Sequence, residues 1–70
     1  MADYIVNNVH MLRTRSELTQ EGLAQKVGTT RQTIIAIERG HYAPSVLLAL
    51  KLSKALRAPV EEIFKISHHA

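Results

Sequence analysis

The chain has 70 residues, the length of one small domain, and nine Lys and Arg residues against six Asp and Glu give it a formal net charge of +3. It contains no cysteine, which excludes disulfides and thiolate zinc sites, and its apolar stretches are far shorter than the roughly 20 residues that span a bilayer. We therefore expect a cytoplasmic protein with one domain over residues 1–70, without a metal, a cofactor, a small-molecule ligand or a membrane contact. Its positive charge allows an anionic partner.

The N-terminal part of the chain predicts two helices. Apolar residues at helical spacing predict a first helix from about Asn7 or Asn8, either of which is a natural N-cap, to Ser16. A second helix opens after Thr19, which can accept the capping hydrogen bond, and ends at Gly28, because a C-terminal cap often needs positive φ. The residues expected to form its buried stripe are Leu23, Ala24 and Val27.

Three further helices are predicted in the second half. Thr30 is the expected N-cap of a third helix that ends at Arg39, and Ser45 is the expected cap of a fourth helix that reaches Leu56. A short fifth helix is expected over residues 60–64. The inward positions of the third helix are Ile34, Ile37 and Glu38.

The two ends of the chain leave two interpretations open. Residues 4–6 and 65–67 tolerate the β conformation, so they either pair as short strands or remain as frayed termini. His68 and His69 are expected to form a loose tail.

The segment from Gln20 to Arg39 meets the requirements of a helix-turn-helix. Its two helices cross closely only where a small residue lies between them, which is Ala24, and the tight turn needs Gly28. The apolar contacts expected to lock the pair come from Leu23, Val27, Ile34 and Ile37. This arrangement predicts a third helix that is held at a fixed angle for insertion into the major groove of duplex DNA.

The motifs LTQEGLAQKVG, TTRQTI, IERG and YAPS stand in this order between Leu18 and Ser45, and the helical segment LALKLSKAL follows them. Together with the rest of a segment from about Val9 to Phe64, they resemble the Cro/CI-type (XRE-like) helix-turn-helix family. The likeness is greatest to the shortest members of that family, which are stand-alone regulators without a sensor domain. The resemblance implies an all-α, five-helix lambda-repressor-like fold.

The resemblance also implies a function and its site residues. The function is sequence-specific binding of double-stranded DNA by a transcriptional regulator, a homodimeric repressor that reads a palindromic operator through the third helix. At the start of the second helix, Gln20 would contact a phosphate, and Thr29 and Thr30 would approach the backbone or the first base. Arg31 and Gln32 would reach base edges.

The outward face of the third helix carries side chains that suit bases. Arg31 can bond guanine O6 and N7, and Gln32 can bond adenine N6 and N7, each good pair discriminating by roughly 1–3 kcal/mol. Ile35 and Ala36 cannot hydrogen-bond a base, so a thymine methyl group is their candidate contact. The alternatives are a plain solvated face for Arg31 and Gln32, and ordinary core or simple exposure for Ile35.

The residues Thr33, Arg39 and Tyr42 are assigned to the DNA backbone. Thr33 is half turned away from the outward face, and the other two lie where the chain leaves the third helix. Contacts to phosphates position a protein on DNA without specifying sequence. For Tyr42, simple packing on the loop is an equal alternative.

Further positions of the family resemblance concern structure. Arg13 and Glu38 match a pair that usually forms a largely buried ion pair between the first and third helices, and breaking such a pair costs about 3–5 kcal/mol. Glu17 and Arg57 stand where the family commonly has C-cap glycines. We therefore expect those two turns to need another conformation.

The fourth helix and the C-terminal segment carry more apolar residues than one buried face requires. A monomer of this size would leave some of them in water, so we expect a dimer interface. The residues assigned to it are Leu47, Leu50, Ile63, Phe64 and Ile66. The alternative is a core that wraps the fourth helix more fully.

An enzyme is not expected. The serines lack a neighbouring base, and the four histidines lack the spacing of a zinc site. Two alternatives to the regulator stay open: the DNA-binding antitoxin of a toxin–antitoxin pair, and a helical module that binds only proteins.

Overall fold

The computed structural model describes residues 3–68, which form five helices between two short strands. The helices are α1 (Val9–Arg15), α2 (Gln20–Val27), α3 (Arg31–Glu38), α4 (Val46–Leu56) and α5 (Val60–Ile63). The strands β1 (Asp3–Asn7) and β2 (Phe64–His68) pair antiparallel, with Asp3 opposite His68 and Asn7 opposite Phe64. The predicted five-helix architecture is confirmed.

Of the two interpretations that the sequence left open, short paired strands or frayed termini, the structure has the paired strands β1 and β2. Strand β2 begins at Phe64, so α5 ends one residue earlier than predicted. The prediction of a loose tail is wrong for His68, whose backbone pairs with Asp3 and whose ring contacts the Asp3 carboxylate. His69 lies outside the described residues.

Three helix starts are closed by the side chains that the sequence indicated. Thr19, Thr30 and Ser45 are extended at the N-caps of α2, α3 and α4, and each side-chain oxygen accepts a backbone N–H three residues later. The donor–acceptor distances are 2.9, 3.2 and 3.1 Å. These local hydrogen bonds set the first residue of each helix.

The start of α1 agrees with the prediction, since Asn8 is its N-cap residue, but the Asn8 side chain accepts no capping hydrogen bond. Asn7 instead accepts the N–H of Val9 at 3.1 Å and donates from Nδ2 to the carbonyl of Ile37 at 2.8 Å. Asn8 donates to the carbonyl of Glu62 at 2.9 Å. Both side chains therefore attach the start of α1 to distant helices.

Two turns adopt left-handed backbone without glycine. Glu17, after α1, has φ 60°, and Arg57, the C-cap of α4, has φ 55°. The expectation of another conformation at these turns is wrong, since both residues keep the conformation that glycine would adopt. A side chain in this region costs energy, which the packed helices on either side must offset.

The core lies where α1, α2, α3, α4 and α5 meet. Its wholly buried large side chains are Val9, Leu23, Ile34, Ile37, Leu52 and Ile63. The short helix α5 contributes Ile63 to this centre and packs against α4. The core positions α3 and leaves its opposite side exposed.

Candidate DNA-binding surface

The helix-turn-helix is held together by apolar side chains between α2 and α3. Leu23 and Ala24 of α2 and Ile34 of α3 have no accessible surface. In the turn, Gly28 has φ 72°, and the N–H of Thr29 donates to the carbonyl of Ala24 at 2.9 Å. The orientation of α3 is therefore fixed from its inner side, and its outer side faces solvent.

The outer side of α3 carries the side chains that the sequence assigned to bases. Arg31 and Gln32 are exposed in the first turn, and Ile35 and Ala36 are half-exposed in the next. Arg39 is exposed at the C-cap. The structure thus brings these five residues onto one short helix surface, with a cation near each end.

The residues assigned to the DNA backbone lie around the ends of α3. The hydroxyl of Thr30 is 3.0 Å from that of Thr33, so the first turn of α3 carries a pair of linked hydroxyls. Thr29 is half-buried in the turn, and it lines a depression of about 240 Å³ together with the exposed Tyr42. Thr29 and Tyr42 therefore lie on the same side of the domain, although they belong to different loops.

Glu38 is the centre of a polar cluster on the flank of α3. Its side chain is 7% exposed, and Oε2 accepts the Nε–H of Arg13 at 2.7 Å. Oε1 accepts N–H groups from Gln20 at 3.2 Å and from Arg13 Nη2 at 3.4 Å. The structure thus brings Arg13 and Glu38 together. Gln20, which the sequence assigned to a phosphate, donates one amide N–H to Glu38, and its second amide N–H can donate to another group.

The environment of Glu38 keeps its carboxylate charged. Burial raises the pKa of Glu38, but hydrogen bonds from Arg13 and Gln20, and the Arg13 charge, outweigh burial and leave the pKa below its ordinary value of 4.5. Arg13 also donates from Nη1 to the carbonyl of Leu18 at 2.9 Å. One guanidinium therefore connects α1 to α3 and to the segment before α2.

A further member of this cluster, His10, was not found by sequence reasoning. Its Nδ1 lies 3.0 Å from Arg13 Nη2 and 3.4 Å from Glu38 Oε1, while 68% of the side chain stays exposed. The signal in the sequence is spacing, because His10 precedes Arg13 by one helical turn.

A groove separates His10 from the outer face of α3. Its volume is about 340 Å³, and its lining residues are His10, Gln20, Arg31, Ile35, Glu38 and Arg39. Three helices contribute to it, and polar or charged side chains form most of its wall. The groove therefore adjoins the surface that the sequence assigned to DNA.

The residues assigned to a dimer interface are not all at the surface. Leu47, Leu50 and Ile66 are 63%, 55% and 70% exposed, and Phe64 is half-buried. The assignment of Ile63 is wrong, because its side chain is completely buried in the core. Ile63 can support such an interface only from beneath.

The described residues contain no group of three or more His, Cys, Asp or Glu side chains placed to hold a metal ion. No helix among them is long and apolar enough to cross a membrane.

Comparison with known proteins identifies the family. A helix-turn-helix family model (HTH_3) matches residues 9–63. An uncharacterised HTH-type transcriptional regulator of Bacillus subtilis, YgzD, is 52% identical over 58 residues, covering 83% of this chain and 88% of that protein. An uncharacterised HTH-type transcriptional regulator of Methanocaldococcus jannaschii is 50% identical with the same coverage.

A solved structure agrees with these relatives. The restriction-modification controller protein C.AhdI of Aeromonas hydrophila superposes with a TM-score of 0.71 at 37% identity, over 77% of this chain and 78% of that one. The chain belongs to the XRE-like helix-turn-helix family of DNA-binding transcriptional regulators.

Proposed function

We propose that this regulator is a dimeric repressor that reads a palindromic operator in double-stranded DNA, with α3 in the major groove. The observation that carries the proposal is the outer face of α3, where Arg31, Gln32 and Arg39 are exposed while Ile34 and Ile37 anchor the helix from behind. A helix fixed on one side and polar on the other suits insertion into the groove.

Base recognition falls to the first two turns of α3. Arg31 offers two parallel N–H donors to the guanine edge, and Gln32 offers one donor and one acceptor to the adenine edge. Ile35 and Ala36 place aliphatic carbon beside them, which suits thymine methyl groups. Specificity then rests on two hydrogen-bonding side chains and their apolar neighbours.

Backbone contacts position α3 on both sides of the base contacts. The second amide N–H of Gln20 and the hydroxyl of Thr29 donate to phosphates, and so does whichever hydroxyl of the linked pair Thr30 and Thr33 is not donating to the other. Arg39 and Tyr42 have the same role at the end of α3. These contacts raise affinity for every sequence equally.

We assign the dimer interface to the exposed Leu47 and Leu50 of α4 together with Phe64 and Ile66 of β2. Single exposed leucines are normal on a monomer, but Leu47 and Leu50 are adjacent on one face of α4, which supports burial against a second copy. Two-fold symmetry would place the α3 helices one DNA turn apart, at about 34–36 Å.

The test is salt-dependent binding of a mixed-sequence duplex, followed by fluorescence anisotropy. Each phosphate contact releases counterions, so the logarithm of the binding constant falls with the logarithm of salt by about 0.9 per contact. We expect Arg39→Ala to reduce this slope by about 1. The matched control is Lys54→Ala on α4, outside the surface assigned to DNA, which leaves the slope unchanged. Absence of duplex binding at low salt contradicts the proposal and favours a protein-binding module.

A further inference from the structure

We propose that the groove beside α3 is a seat for one phosphate of the DNA backbone, and that His10 binds this phosphate and takes up a proton as it does so. The proposal rests on the DNA binding proposed above, and adds to it a contact residue on α1 and a dependence of affinity on pH.

The position of the groove selects a phosphate as its occupant. The major groove of DNA is about 12 Å wide, and a helix with its side chains is about 10–12 Å across. An inserted α3 therefore fills the groove, and whatever lies on its flank meets the sugar-phosphate backbone. Arg31, Ile35 and Arg39 belong to both the outer face and the groove wall, so His10 faces the flank on which one strand must pass.

The charge of the groove suits an anion. Arg31 and Arg39 are exposed cations on the α3 wall, and the second N–H of Gln20 is available on α2. The one acid of the groove, Glu38, is already neutralised by Arg13 through contacts of 2.7 and 3.4 Å. A phosphate oxygen entering the groove therefore meets hydrogen-bond donors and positive charge.

The contacts of His10 determine which ring nitrogen can donate to the phosphate. Nδ1 lies 3.0 Å from an N–H donor of Arg13, so in the neutral ring Nδ1 is the acceptor and the proton is on Nε2. In the charged ring, Nδ1–H donates instead to Glu38 Oε1, which is 3.4 Å away. Both forms keep Nε2–H as a donor, and no described residue occupies it.

The proton linkage follows from the charges around His10. A phosphate beside an imidazole favours the charged imidazolium, and imidazoles change charge between about pH 5 and pH 8. The charged groups that face the ring are Arg13 on α1 and Glu38, Arg31 and Arg39 on α3. The arginines keep their charge throughout, and the lowered pKa of Glu38 keeps it ionised. A phosphate held in this groove therefore favours the imidazolium form of His10, and binding strengthens as pH falls.

The experiment measures binding of one duplex between about pH 5.5 and pH 8 at several salt concentrations. The wild type should bind roughly tenfold more weakly at the alkaline end, the order expected for one charge-assisted hydrogen bond. At the acidic end, His10→Gln should lower the salt slope by about 1 and remove most of the pH dependence. His10→Lys, charged at both ends, should restore the slope and bind tightly at alkaline pH.

The control is His68→Gln, which removes a histidine from the terminal sheet and should keep the wild-type pH profile. Thermal unfolding of each variant checks that the fold is intact. If the wild type binds duplex DNA and His10→Gln has the same pH profile and salt slope, the phosphate seat is wrong while the proposed function stands. If the wild type binds no duplex at any pH, both fail.

Discussion

At the scale of single residues, Glu38 connects the fold to the surface of α3. Its carboxylate lies on the flank of α3 and accepts hydrogen bonds from Arg13 on α1 and Gln20 on α2, so the charge that stabilises the domain also orients Gln20 beside the surface proposed to bind DNA. Removing one partner of a buried pair leaves the other uncompensated, which costs about 3–5 kcal/mol.

The stabilising effect of Glu38 depends on pH in a defined direction. Because its folded pKa lies below the unfolded value of 4.5, its contribution is complete above that pH and is lost as pH falls through the folded pKa. We expect Glu38→Gln to lower the melting temperature most at about pH 7, and the gap from wild type to narrow towards about pH 3. Circular dichroism melts measure this gap. The control is Glu61→Gln, at an exposed position of α5. If the difference in melting temperature between wild type and Glu38→Gln does not change with pH, the stabilising role of the Glu38 charge is wrong.

At the scale of the helices, the C-cap of α4 shows a conflict between local preference and packing. Arg57 is exposed and held at φ 55°. We expect Arg57→Gly to raise stability by about 0.5–1 kcal/mol, since glycine adopts this backbone without steric cost but loses more chain entropy on folding. Arg57→Ala keeps a Cβ at the same φ and should give no such gain. Equal stability of the two variants in urea denaturation would show that the turn is unstrained.

The starts of all the long helices were predictable, but the hydrogen bonds that hold them were predictable only where the partner is local. Thr19, Thr30 and Ser45 accept an N–H three residues ahead, so sequence spacing alone predicts the bond. Asn7 and Asn8 bond carbonyls 30 and 54 residues away, and no local pattern encodes such partners.

Of the candidate surface, the outer face of α3 was predictable from the sequence, whereas the burial of Ile63 and the contacts of His10 were not. The outer face of α3 follows from helical periodicity once Thr30 is its N-cap. Ile63 was placed in the dimer interface because the count of apolar residues near the C-terminus exceeds one buried face. Burial of its side chain depends on how the short α5 enters the core, which periodicity over four residues does not determine. The contact of His10 with Glu38 was not predictable from the sequence, because the two residues lie on different helices.

At the scale of the whole molecule, the exposed apolar residues of α4 support the proposed dimer. We expect Leu50→Glu to raise the dimer dissociation constant by at least about tenfold, because an unpaired carboxylate in an apolar contact costs more than about 1.4 kcal/mol. Sedimentation velocity measures the change. Met11→Glu is the matched control, since Met11 is 49% exposed but lies on α1. A wild type that is monomeric at all concentrations, or a Leu50→Glu variant that dimerises normally, contradicts the proposed interface.

The proposal that α3 reads DNA sequence can be checked by selection from randomised duplexes with the wild type, Arg31→Ala and Gln32→Ala. We expect the wild type to enrich a palindrome with half-sites about 34–36 Å apart. Arg31→Ala should relax a guanine and Gln32→Ala an adenine in each half-site, each losing roughly 1–3 kcal/mol of discrimination. Enrichment of no sequence by the wild type, or the same sequence preference in all three proteins, would contradict it.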